Sequence, residues 1–100
     1  MKIYHRTSRE VALRILSKGF RDGTGNYLTL HVYHGVWFSN VSLDENEGAH
    51  GDTLLEVRIP AKRIADFEWV EEGKPYREWL IPAKLVNTLG SVRLVREGLW

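Results

Sequence analysis

The chain is predicted to be a small α+β domain with a mixed or antiparallel sheet, and three observations predict it. Several short segments alternate polar and apolar residues, one well-formed amphipathic helix lies near the N-terminus, and helices do not alternate regularly with strands. The last point argues against a doubly wound parallel sheet. The length of 100 residues with 43% hydrophobic content gives one core and one domain, residues 1–100. A domain of this size buries a modest share of its surface, so pairing with a second copy, a homodimer, is an expectation.

Lys2 to His5 alternates as a short strand and runs into Thr7-Ser8-Arg9-Glu10, which has the spacing of a capping box. A helix from Ser8 to Lys18 follows, with Thr7 expected at its cap. Val11, Ala12, Ile15 and Leu16 recur on one face, and Gly19 is the stop. Arg21 to Asn26, Arg-Asp-Gly-Thr-Gly-Asn, has the composition of a mobile loop. Tyr27 to Tyr33 is a short strand or extended loop, Val36 to Asn40 a strand, and Asp44 to Asp52 a polar loop or helical turn.

Thr53 to Ile59 gives the clearest strand. Leu55, Val57 and Ile59 face inward, Glu56 and Arg58 outward, and Pro60 ends it. Ala61 to Phe67 forms a short helical turn and Glu68-Trp69-Val70 a short strand. Glu71 to Pro75 is a hairpin-like loop leading into Arg77 to Ile81. Pro82 opens a short helix through Leu89, stopped by Gly90, and a last strand covers about Val92 to Val95.

The formal net charge of +1, with acids and bases interleaved, gives no long-range field toward a nucleic-acid backbone. There is no cysteine, hence no disulfide framework and no thiol nucleophile. No apolar run approaches the roughly 20 residues that cross a bilayer. The N-terminus carries no apolar signal region, and the expectation is a cytoplasmic protein without membrane contact. His31, His34, His50 and Asp52 fit no closed zinc set, so no metal is expected. No glycine-rich phosphate fingerprint is present.

Glu78 stands alone as a carboxylate within Tyr76-Arg77-Glu78-Trp79-Leu80-Ile81 and shares a strand face with Leu80. It is either a solvated edge position or the floor of a cleft. Trp37 lies on the strand face opposite Val36 and Phe38, as a core aromatic or as a stacking plane. His5 is either a strand-end histidine bonded to backbone or a ligand contact. Arg77 is a surface residue, a partner of Glu56, or a ligand for an acceptor phosphate. Glu45 and Glu47 read as solvated acids, and Glu68, Glu71 and Glu72 as a charged turn.

Three segments taken in order resemble the ADP-ribosyltransferase superfamily, in its diphtheria-toxin and poly-ADP-ribose-polymerase branch. Tyr4-His5-Arg6-Thr7 with its helix and Lys18-Gly19-Phe20 is similar to the family's His-Gly-Thr strand, helix and glycine stop. Gly35-Val36-Trp37-Phe38-Ser39 is similar to the Gly-Ile-Tyr-Phe-Ala strand, and Glu78-Trp79-Leu80-Ile81 to the Glu-Tyr-Ile-Val strand. Arg6 replaces the family's glycine, and Trp37 its tyrosine. The resemblance implies NAD as substrate, with no metal, and cleavage of the nicotinamide–ribose bond. ADP-ribose would pass to a protein or nucleic-acid acceptor or to water. It implies Glu78 and His5 as catalytic residues and Arg6, Thr7, Trp37 and Ser39 as contacts to the dinucleotide. It also implies a setting such as a toxin or effector. Two other functions compete. One is the RNA 2'-phosphotransferase branch, which also uses NAD and needs a basic RNA site such as Arg6, Arg9, Arg14 and Arg21 could supply. The other is a catalytically silent module that binds a nucleotide or a protein.

Overall fold

In the computed structural model, residues 1–26, 32–42 and 51–96 are described. The elements are β1 (Lys2–Thr7), α1 (Arg9–Lys18), β2 (Gly23–Asn26), β3 (Val32–Ser39), β4 (Thr53–Arg58), α2 (Ala61–Ile64) with a 3₁₀ turn (Ala65–Phe67), β5 (Glu68–Trp69), β6 (Glu78–Ile81), α3 (Ala83–Leu89) and β7 (Ser91–Arg96). The fold is α+β with one N-terminal helix, and every strand pair is antiparallel. The expectations for residues 27–31 and 43–50, including His31, Glu45, Glu47 and His50, lie outside the described residues. Among the described residues no helix is long and apolar enough to cross a membrane.

Strand order is β5-β6-β3-β1-β4-β7, with β2 paired to the first half of β3. Strand β3 therefore serves two partners in turn: Val32–Gly35 face β2, and Val36–Ser39 face β6. Alternation sends Ile3, Val36, Phe38, Leu55, Val57, Trp79 and Ile81 to one face, where they form a single buried cluster with Ala12 and Ile15 of α1, Ile64 of α2 and Ala83 and Val86 of α3. The other face carries Trp37, Ser39, Glu56, Glu78 and Leu80.

Three expectations need correction. Gly23–Asn26 is a strand, not a mobile loop: it pairs residue for residue with Val32–Gly35. Glycine and asparagine leave no alternating pattern to read, and the waiting backbone of β3 overrides their low strand preference. The cap of α1 is Ser8, whose Oγ accepts from the Val11 N–H at 3.2 Å, because Thr7 is already committed to the ladder opposite Thr53. Leu16, expected on the buried stripe, is 42% exposed, so the stripe narrows to Ala12 and Ile15 with Val11 packed beside them.

The end of α1 is fastened to α3. Gly19 takes φ +87, and a Cβ there would meet the Asn87 Oδ1 at 2.9 Å. That amide accepts from the Phe20 N–H at 2.8 Å and donates to the Phe20 carbonyl at 2.9 Å. Asp22 Oδ1 in turn accepts from the Ala83 N–H at 2.7 Å, satisfying one of the free donors at the start of α3. The result is that Phe20, 4% exposed, enters the core at a fixed position. Asn87→Ala removes both bonds to Phe20 and is expected to cost about 1–3 kcal/mol in urea unfolding. Thr88→Ala, one residue along and exposed, is expected to stay within about 0.5 kcal/mol of wild type. Equal effects of the two substitutions would contradict this role for Asn87.

Candidate functional site

The strands bearing the three singled-out segments lie side by side, in the order β6-β3-β1. Ser39 stands opposite Glu78, and Trp37 opposite Leu80, so Trp37 and Glu78 are diagonal neighbours on one face. Phe38 and Val36 are almost wholly buried on the other face, which forces Trp37 outward with 38% of its surface exposed. Trp69 of β5 stands opposite Glu78, and its ring meets that of Trp37 at 5.5 Å and 76°. Two indoles thus make an aromatic corner beside a carboxylate.

The loop between β5 and β6 braces that carboxylate. Lys74 Nζ donates to Glu78 Oε1 and lies 3.3 Å from Glu71 Oε2, while Trp69 Nε1 donates to Glu71 Oε1 at 2.9 Å. Burial alone would depress the Lys74 ammonium, but the bond to Glu78, that carboxylate's field and Glu71 outweigh it and raise the lysine pKa. Lys74 is therefore a fixed cation at neutral pH. Glu78 keeps 14% of its side chain exposed. Among the described residues no buried side-chain oxygen or nitrogen lacks a hydrogen-bond partner, so Glu78 Oε2, which has none, opens to solvent. One carboxylate oxygen is held and the other is presented.

The residues flanking Glu78 are equally constrained. Arg77 N–H donates to Asn40 Oδ1 at 2.9 Å and the Arg77 carbonyl accepts from the Asn40 N–H at 3.0 Å, adding a rung just before Glu78. The Arg77 guanidinium grips Glu68 through two bonds of 2.9 and 2.7 Å and lies 4.9 Å from the centre of the Trp79 ring. Its partner is thus Glu68 and not Glu56. The same hydrogen bond holds the Glu68 carboxyl below the usual carboxylate range.

His5 lies elsewhere. Tyr4 is the residue of β1 that registers with Ser39, so alternation turns His5 toward the core side, opposite to Glu78. Its ring packs edge-on to Phe20 at 5.6 Å and against Phe38 at 5.7 Å. Strands β1 and β3 share only this one registered pair, and the His5 ring bridges them beyond it: Nδ1 bonds the Trp37 carbonyl at 2.8 Å. A carbonyl only accepts, so the proton sits on Nδ1, and Nε2 is left as an acceptor with no partner among the described residues. Burial lowers the His5 pKa more than the bond to Trp37 raises it. The structure thus brings Trp37, Ser39 and Glu78 together and joins His5 to them through the Trp37 backbone, not across a shared cleft face.

The remaining candidates have structural tasks. Ser39 is 5% exposed and its hydroxyl donates to the Val41 carbonyl, shaping the turn after β3. Arg6 Nε donates to the Gly51 carbonyl at 2.6 Å. Gly51 has φ +109 and packs so tightly on β1 that a Cβ would lie 2.2 Å from the Thr7 carbonyl carbon, which fixes Arg6 and Thr7 together. Among the described residues no group of three metal-ligating side chains occurs. The Lys74–Glu71–Trp69 brace was missed in the sequence, where Glu71 read as one acid of a charged turn. Its only signal is the spacing Glu71, Lys74, Glu78, which carries meaning once the loop folds back on β6.

For His5 the sign is definite: a folded-state pKa below the unfolded value means that stability is full above about pH 6.5 and falls as pH drops below it. Nitrogen-15 NMR of the histidine rings is expected to show His5 as the neutral Nδ1–H tautomer at pH 7, with a midpoint below 6.5. A midpoint at or above 6.5, or an Nε2–H tautomer, would contradict the bridge to Trp37.

No protein-family model, curated protein or solved structure matches the chain. Its function has to come from the geometry of the site.

Proposed function

We propose that the protein binds NAD and cleaves its nicotinamide–ribose bond, passing ADP-ribose to an acceptor. The observation that carries this reading is the placement of Trp37 and Glu78 as diagonal neighbours on one face of β3 and β6, with a carboxylate oxygen open beside an exposed indole. Loss of nicotinamide develops positive charge on the ribose. Glu78 Oε2 is suited to accept from a ribose hydroxyl and to stabilise that charge, while Lys74 fixes the carboxylate through Oε1. Trp37 offers a plane to the cationic ring, where apolar contact and attraction to the ring face act together, and Trp69 braces it edge-on. His5, turned to the opposite face of the sheet, takes no direct part in this arrangement and acts through the Trp37 carbonyl that its Nδ1 holds.

The silent-module reading draws support from the same residues: Lys74 partly neutralises Glu78, and Arg6, where the resembled family has glycine, is tied to Gly51. Nicotinamide release separates the readings. Glu78→Gln keeps the size of the side chain but removes its charge, and release is expected to fall by two or more orders of magnitude, about 3 kcal/mol, with NAD affinity little changed. Trp37→Ala is expected to weaken NAD binding, read by tryptophan quenching, by several-fold to about thirtyfold, equivalent to roughly 0.5–2 kcal/mol. Binding without release under any condition, cell extract included, would favour the silent module. Release only with 2'-phosphorylated RNA would favour the phosphotransferase. Undiminished activity of Glu78→Gln would remove Glu78 from the chemistry.

A further inference from the structure

The outer face of β1, β4 and β7 bears a second arrangement. Register aligns three rows across these strands: Lys2–Arg58–Ser91, Tyr4–Glu56–Arg93 and Arg6–Leu54–Arg96. Five of the nine positions are basic and one is acidic, on a chain whose net charge is only +1. The interleaving seen along the sequence conceals this, because charges on neighbouring strands come from distant segments.

The single acid organises the bases. Glu56 is 3% exposed, and its Oε1 accepts from Arg93 Nε at 3.1 Å and lies 3.6 Å from Arg58 Nε. The Arg93 hydrogen bond above all, with the fields of Arg93, Lys2 and Arg58, holds this carboxyl below the usual range despite its loss of solvent. Both guanidiniums approach through Nε, which leaves their Nη pairs available on side chains 63% and 64% exposed. Arginines pinned on one edge and open on the other lose little freedom when they grip a phosphate bidentately. Lys2 stands opposite Arg58, and Ser91 adds a hydroxyl on its far side.

We propose that this face binds the phosphate backbone of a nucleic acid. Strand spacing of about 4.8 Å and a rise of about 3.3 Å per residue spread the basic positions over roughly 13 Å by 10 Å. That is too wide for one phosphate group and suits a run of them. The surface is continuous with the Trp37–Glu78 corner, since Tyr4 registers with Ser39 and Ser39 with Glu78. The proposal stands apart from the NAD reading, and its test contains no NAD.

The test is fluorescence anisotropy with labelled 20-nucleotide single-stranded RNA and DNA between 50 and 200 mM NaCl. The wild type is expected to bind with a log–log salt slope of about −2 to −3.5, at about 0.7 per neutralised phosphate. Lys2→Gln and Arg58→Gln are each expected to weaken binding roughly threefold or more and to flatten the slope by about 0.7. Lys62→Gln on α2, a helix that packs on the opposite face of the sheet through Ile64, is expected to leave both unchanged. The Lys2 side chain makes no hydrogen bond among the described residues, so its variant reports on binding even if Arg58→Gln is unstable. The proposal is overturned if the wild type binds neither oligonucleotide at 50 mM salt, or if Lys2→Gln and Arg58→Gln leave affinity and slope unaltered. Binding that depends on Lys2 but is specific to phosphatidylserine vesicles or polyglutamate would overturn it equally.

Discussion

A single cross-strand row, Trp69–Glu78–Ser39–Tyr4–Glu56–Arg93, runs over the outer face of all six strands of the main sheet. Its register depends on the inner face. Phe38, Trp79, Ile3, Leu55 and Val57 are at most 2% exposed, and a one-residue slip of any strand would turn its share of them to water and bury the outer residues instead. Burying a Phe or a Leu is worth about 1.5–3 kcal/mol each, so core packing locks the row. The polar residues of the outer face inherit their positions from this constraint.

Along that row the chain uses one device in two senses. At the β5–β6 end a lysine on a loop holds a carboxylate by one oxygen and leaves the other oxygen open. At the β4–β7 end a carboxylate holds two arginines by their inner edges and leaves their outer edges open. In both cases an oppositely charged partner fixes one edge of a group and leaves its other edge open, which lowers the ordering cost of gripping a ligand. The pH response of the second network follows in sign. Glu56 is held below the usual carboxylate range, so its contribution is present above the unfolded value and lost as pH falls through the lowered one.

Much of this fold is legible in the sequence where local pattern and tertiary role agree. The strand Thr53–Arg58, the helix ending at Gly19 and the helix after Pro82 each carry alternation, helical spacing or a stop residue, and each lies within a residue or two of its expected limits. Strand β2 was hidden because glycines leave no face to read. The cap moved from Thr7 to Ser8 because a ladder with β4 outcompetes a cap at that residue. At the candidate site, Trp37 opposite in face to Phe38 and Glu78 opposite in face to Trp79 followed from period-2 alternation alone. The convergence of His5 on Glu78 could not be judged from the sequence, since it depends on which residue of β1 meets Ser39. Cross-strand register also decides the Glu56–Arg58–Arg93 cluster, whose members lie up to 37 positions apart.

The most direct measurement of the proposed function is amide and indole chemical-shift mapping of the isotopically labelled protein during titration with NAD. The expected result is a shift of the Trp37 indole N–H and of the backbone amides of Trp37 to Ser39 and Glu78 to Leu80. Shifts confined to β4 and β7, or none at millimolar NAD, would contradict it.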